Sequence, residues 1–148
     1  MRKCNGVVFG LLVLGLVVFG KQALGGTTST NNPAAEKLAI ESAQSWLDII
    51  DGGNYAKGWE EAAAAIKSAV SQADFEKSLR AVRPPLGKVL SRKIKSQQYS
   101  TSMPGAPDGE YVVIQYDTTF ENKAHGVETI TPMLAKDGKW KVSGYYIR

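Results

Sequence analysis

The stretch Glu110–Phe120, EYVVIQYDTTF, decides the fold. Val112, Val113, Ile114, Tyr116, Thr118, Thr119 and Phe120 are β-branched or aromatic, the types that suit a pleated, half-buried surface. The chain enters this stretch from Pro104-Gly105-Ala106-Pro107-Asp108-Gly109, a run of turn-formers. It reads as the central strand of an antiparallel sheet. Val112, Ile114, Tyr116, Thr118 and Phe120 form one alternating set, more apolar than Tyr111, Val113, Gln115, Asp117 and Thr119. The first set is therefore expected to face the core, with Tyr116 nearest any cavity and Asp117 pointing away.

Period-two patterning continues on both sides. From Lys88 to about Thr101, Leu90, Arg92 and Ile94 share one face and Ser91, Lys93 and Lys95 the other. After the central strand, Glu121–Gly126 reads as a polar turn and Val127–Ala135 as a third strand. Asp137-Gly138 signals a hairpin with a two-residue type I′ loop, leading into a last strand, Trp140–Ile147. That loop would pair Ala135 with Trp140, Met133 with Val142, Thr131 with Gly144 and Thr129 with Tyr146. The face carrying these pairs is expected to pack on the helices, with room at Thr131–Gly144. Glu128, Ile130, Ser143, Tyr145 and Ile147 would then lie on the opposite face. Pro132 cannot donate to a ladder, so a bulge or a locally free edge is expected there.

Upstream the period is helical. Asn32-Pro33 opens a helix whose Ala39, Ala43, Trp46, Leu47 and Ile50 make one face, and Gly52-Gly53 ends it. Asn54 caps a second helix carrying Tyr55, Trp59, Ala62, Ala63, Ile66 and Val70. Ser71-Gln72-Ala73-Asp74 resembles a capping box and starts a third, with Phe75, Leu79 and Val82, which Pro84-Pro85 terminates. Three helices followed by four antiparallel strands give an α+β class, with helices on one face of a curved, cone-like sheet.

The start of the chain reads as an address. Arg2 and Lys3 precede an apolar run, Val7–Phe19, and Ala23-Leu24-Gly25 offers small residues for cleavage. Residues 1–25 are expected to be a secretory signal peptide, because the run falls short of the ~20 apolar residues a span needs. Residues 26–32 follow as a disordered leader, and residues 33–148 form one domain. Export to the periplasm or beyond, with no stable membrane anchor after cleavage, is the expectation. Cys4, the only cysteine, would leave with the signal, excluding disulfides and thiolate chemistry from the mature chain. The full chain has 18 Lys+Arg against 14 Asp+Glu; losing Arg2, Lys3 and Lys21 leaves 15 against 14, or +1. That near-balance argues against nucleic acid as a partner.

No Gly-rich phosphate loop, GxSxG or HExxH occurs. His125, the only histidine, falls in the polar turn and reads as exposed. No catalytic set, metal site or cofactor is therefore expected. Arg92 shares a face with apolar neighbours and needs an acidic partner, for which Asp117 and Glu128 are the candidates. Arg92, Tyr116 and Trp59 are the residues expected to touch a ligand, although an ion pair and plain aromatic core account for the same pattern.

Four segments, AQSWLDIIDGGNYAKGWEEA (43–62), FEKSLRAVRPPLGKVLSRKI (75–94), YSTSMPGAPDGEYVVIQYDTTFENKA (99–124) and VETITPMLAKDGKWKVSGYYIR (127–148), resemble a bacterial family known only as domain of unknown function 4019. The resemblance implies an exported protein with a cone fold like that of cystatin or nuclear transport factor two. It supplies no catalytic residues. A non-enzymatic binding module for a small ligand or an envelope protein is the leading functional expectation. A scaffold or homo-oligomer using the sheet face with Ile130, Tyr145 and Ile147 is one alternative. A cofactor-free enzyme using Glu128 or Asp117 with Arg92 is the other.

Overall fold

A computed structural model describes residues 31–148. The expected signal peptide and most of the leader lie outside the described residues. The helices are α1 (Pro33–Asp51), α2 (Tyr55–Glu61), α3 (Ala64–Ala69) and α4 (Gln72–Leu86). The strands are β1 (Val89–Ser100), β2 (Tyr111–Phe120), β3 (Lys123–Leu134) and β4 (Trp140–Ile147), antiparallel in the order β1-β2-β3-β4. The class is α+β. None of these helices is long and apolar enough to cross a membrane.

The helix starts follow their caps. Asn32 Oδ1 accepts from the Ala35 amide and Asn54 Oδ1 from the Lys57 amide. Ser71 Oγ accepts from the Asp74 amide and donates back to its carboxylate at 2.7 Å. The expected second helix, however, is two helices, so there are four among the described residues rather than three. Ala62 and Ala63 are extended, and the Ala63 N–H donates to the Val142 carbonyl at 2.8 Å. A hydrogen bond to the sheet edge overrides the helix preference of alanine here. Helix α4 also runs through Pro84-Pro85 to Leu86 instead of stopping at them, and Gly87 ends it with φ +76°.

Helix α1 crosses the sheet with Ala39, Ala43, Trp46, Leu47 and Ile50 buried. Trp46 meets Tyr145 edge-on at 5.2 Å and Phe75 at 6.4 Å. On β2, Val112, Ile114, Tyr116, Thr118 and Phe120 are all buried and Asp117 is exposed, as the alternation predicts. Tyr111 belongs to the other set yet is buried, its hydroxyl donating to the Pro107 carbonyl of the preceding loop.

Two local features correct the register of the last hairpin. The Ala135 N–H donates to the Lys139 carbonyl and the Gly138 N–H to Ala135, so the loop holds Lys136, Asp137 and Gly138 rather than two residues. Leu134 therefore pairs with Trp140. A bulge then falls between Thr131 and Pro132, and Thr131–Gly144 and Thr129–Tyr146 pair as expected. The bulge sits where proline has no N–H to give. The unpaired Ser143 uses its hydroxyl to satisfy the Thr131 carbonyl at 2.8 Å. Because a bulge exchanges the two faces of a strand, the apolar turn-side pairs gave the wrong sign for the rest. The core face carries Glu128, Ile130 and Tyr145, and Thr131–Gly144 lies outside.

The β2–β3 connection is also shorter than the six residues expected. Phe120 pairs with Lys123, leaving Glu121 and Asn122 as the turn. The Glu121 and Asn122 amides donate to the Lys88 and Leu86 carbonyls, which ties this turn to the α4–β1 loop. His125 thus lies on β3, exposed. Gly126 is a strand residue, and a Cβ there would stand 3.0 Å from the Phe120 ring.

The two sheet edges are treated differently. Along β4, Ala63 N–H and Ser42 Oγ donate to the Val142 and Trp140 carbonyls, so the helical layer covers it. Strand β1 is open but carries two bulges, exposed Lys93 and Lys95, and an Ile94 only partly covered. Bulges and lysines discourage another strand from pairing there.

Candidate functional site

Ionisable side chains converge where α1, α4 and the sheet meet. Glu128 sits on the inner face of β3 with no exposed surface. Arg92 is on edge strand β1, opposite Thr118 of β2. Two strand spacings, about 10 Å, separate the strands of Arg92 and Glu128. The long arginine side chain crosses that gap. Its Nε donates to Glu128 Oε2 at 2.7 Å and its Nη2 to Oε1 at 3.2 Å. Thr118 and Tyr145 hydroxyls donate to the two oxygens at 2.6 Å each. Four donors occupy the carboxylate, about the number an ionised carboxylate can accept.

The other end of Arg92 grips Asp51, the last residue of α1, through Nη1 at 2.8 Å and Nη2 at 3.1 Å. A carboxylate at a helix C-terminus opposes the helix dipole. Arginines offset that here, because Arg83 of α4 also donates to Asp51. Arg83 is nearly buried, stacks 5.0 Å from the Phe120 ring, and has Nη1 4.0 Å from Glu128. Two cations thus face two anions.

Burial opposes the charge on Arg92, but the hydrogen bonds and attraction of Asp51 and Glu128 outweigh it and raise its pKa above the ordinary guanidinium value. Burial first, and the Glu128 anion second, push the Tyr145 hydroxyl well above the usual phenol range. Tyr116, opposite Glu128 on β2, is raised mainly by burial, and its hydroxyl has no hydrogen-bond partner.

The structure therefore brings Arg92 and Tyr116 together around Glu128. Trp59 lies elsewhere: its Nε1 donates to the Val70 carbonyl and Lys67 stands over its ring. Asp117 pairs with Lys95 on the outer face, so of the two acids weighed for Arg92 only Glu128 reaches it. The expectation that Glu128 lies off the core face is overturned because the longer loop pairs Leu134, not Ala135, with Trp140, which puts the Glu128 and Ile130 set of β3 inside. Asp51, Arg83, Thr118 and Tyr145 were not anticipated. Asp51 reads in sequence as a helix-end acid beside glycines, and nothing local marks its partners. Among the described residues no group of three His, Cys, Asp or Glu is placed to hold a metal ion.

A second feature is a cleft of about 280 Å³ between α1, α2 and the start of β4. Its apolar wall consists of Trp46, Ile49, Trp140 and Val142. Lys57, Lys139 and Lys141 rim it, with Glu61 as the one acid. Lys141 lies 3.5 Å from Asp137, whereas Lys57 and Lys139 enter no ion pair among the described residues. The tightness of the α1–α2 contact shows at Gly58, where a Cβ would come within 2.5 Å of Ile50 Cδ1. Trp46 Nε1 donates to the Gly58 carbonyl, which fixes the indole at the back of the cleft.

Fold and site together define an α+β domain with a buried charge cluster, in which Arg83 Nε and Nη1 make no hydrogen bond among the described residues, and with a lateral cleft. The chain belongs to the family described as Protein of unknown function (DUF4019), which matches residues 42–145. No curated protein and no solved structure matches it.

Proposed function

We propose that this is an exported, non-enzymatic module that binds a small ligand in the cleft between α1, α2 and β4. The observation that carries the reading is a division of labour. Glu128 is occupied by four donors and shielded from solvent, while the cleft offers apolar surface and two lysines outside any ion pair among the described residues. Apolar walls with a few polar groups are the usual build of small-molecule sites. Export rests on the charged start, apolar run and small-residue cleavage region of the first 25 residues. A cone of the cystatin or nuclear-transport-factor-two kind is supported by the helix-then-sheet order and the helices on one sheet face.

The enzymatic alternative requires Glu128 to take a proton from a substrate, yet four donors already surround it. The scaffold alternative loses Ile130 and Tyr145, which are buried against the helices. A fragment screen by thermal shift on residues 26–148 tests the binding reading. A true ligand at a hundredfold excess over Kd stabilises by about 2.7 kcal/mol. Ser45→Trp, at an exposed position on the cleft wall, fills the space and is expected to abolish the shift. If no fragment shifts the protein, or if the shift survives Ser45→Trp, the cleft is not the site.

A further inference from the structure

The cleft also constrains what enters it. Its volume, about 280 Å³, is just below the usual range of roughly 300–1,000 Å³ for ligand pockets and suits a small inserted body. Two indoles and two aliphatic side chains form the wall, which favours a flat apolar body. The rim has three lysines against one glutamate, and with Asp137 on Lys141 the local balance is +1. Asp137 pairs with Lys141 and also feels the charge of Lys139, and Lys57 and Lys139 are the rim cations outside any ion pair among the described residues. They come from different elements, Lys57 from α2 and Lys139 from the residue before β4, and both border the same hollow. Arg80–Glu76 and Lys95–Asp117 pair elsewhere on the surface, while Lys57 and Lys139 stand beside an apolar wall.

We infer that the ligand is a small amphiphilic anion, with an aromatic or compact aliphatic body against Trp46, Ile49, Trp140 and Val142 and an anionic group between Lys57 and Lys139. This inference rests on the cleft being the binding site. It adds the sign of the ligand's charge and the limit on its size. Rim lysines supply orientation and a modest preference, since exposed ion pairs contribute little each.

Calorimetric titration of residues 26–148 with 2-naphthoate, 2-naphthamide and 2-naphthylmethylammonium tests it, because the three share one apolar body and differ in charge. The anion is expected to bind about 3- to 10-fold more tightly than the amide at low salt. The cation is expected to bind more weakly than either. Raising the salt should shrink the preference. The exposed double substitution Lys57→Gln/Lys139→Gln should bring the anion's affinity down to that of the amide, with the unfolding midpoint unchanged. Equal binding of anion and amide overturns the inference and leaves the cleft reading standing. An anion preference that survives the double substitution also overturns it. If none of the three naphthyl compounds binds, the inference falls. The fragment screen then separately decides whether the cleft binds anything.

Discussion

Replacing Glu128 by Gln is the sharpest test of how the domain is held. The two side chains have nearly the same shape, so packing is conserved and only charge and one acceptor are lost. Thr118 and Tyr145 can rotate their hydroxyls to accept from the new amide. Arg92 cannot, because its Nε and Nη2 are donors only. The change leaves Arg92 and Arg83 facing Asp51 alone, with Arg83 already buried. Breaking one member of a buried ion pair typically costs about 3–5 kcal/mol. For a domain of this size that corresponds to a fall in Tm of about 10–25 °C. Urea unfolding of residues 26–148, followed by tryptophan fluorescence and near-ultraviolet circular dichroism, measures it. The companion double variant Arg92→Met/Glu128→Leu removes both charges and is expected to recover at least about 1 kcal/mol relative to Glu128→Gln. If Glu128→Gln lies within about 1 kcal/mol of the parent, the cluster does not hold the helices to the sheet.

Further outcomes follow from other details. The raised pKa of Tyr145 means that the unfolded chain ionises this phenol before the folded one does. Its contribution is complete below the unfolded value of about 10 and is lost as pH rises from there towards the folded value. Stability measured from pH 9 to 11.5 should therefore fall, and less steeply in Tyr145→Phe, by up to about 1.4 kcal/mol per pH unit. At Ala63 the backbone, φ −64° and ψ 156°, already suits proline, and Ala62 before it is extended. Ala63→Pro thus removes little beyond the hydrogen bond to Val142. A loss of about 1–3 kcal/mol in denaturant unfolding is expected, and no loss would mean that this bond does not hold the edge.

The sheet was legible because its signals are short-range. Alternation along Val112–Phe120 and turn-formers at 104–109 mark strand, inner side and boundary without reference to anything distant. Caps at Asn32, Asn54 and Ser71 act within one helical turn, and they too were readable. What failed needed a partner far along the chain. The break at Ala62-Ala63 depends on Val142, and the helix preference of alanine conceals it. Gly126 resembles a turn residue, but its smallness makes room for the Phe120 ring. The face of β3 was misassigned because Asp137-Gly138 does not reveal whether Lys136 joins the loop. That single residue decides which face of β3 carries Glu128, and the bulge at Ser143 turns Tyr145 to the same side. Of the cluster, Arg92 could be singled out as an arginine on an apolar strand face. Asp51 could not, since its partners are 32 and 41 residues away.

The Ser42–Trp140 hydrogen bond spans 98 residues, and it has a kinetic meaning. Trp46 likewise waits for Tyr145, which lies three residues from the end of the described chain. The first helix therefore lacks part of the surface that covers its apolar face until the last strand exists. Contacts of this separation slow folding, because the intervening loop must close before any contact is gained. Until β4 pairs with β3, the Trp46 indole lacks the Tyr145 ring it packs against and Ser42 lacks its acceptor, so full closure of α1 on the sheet is a late folding step.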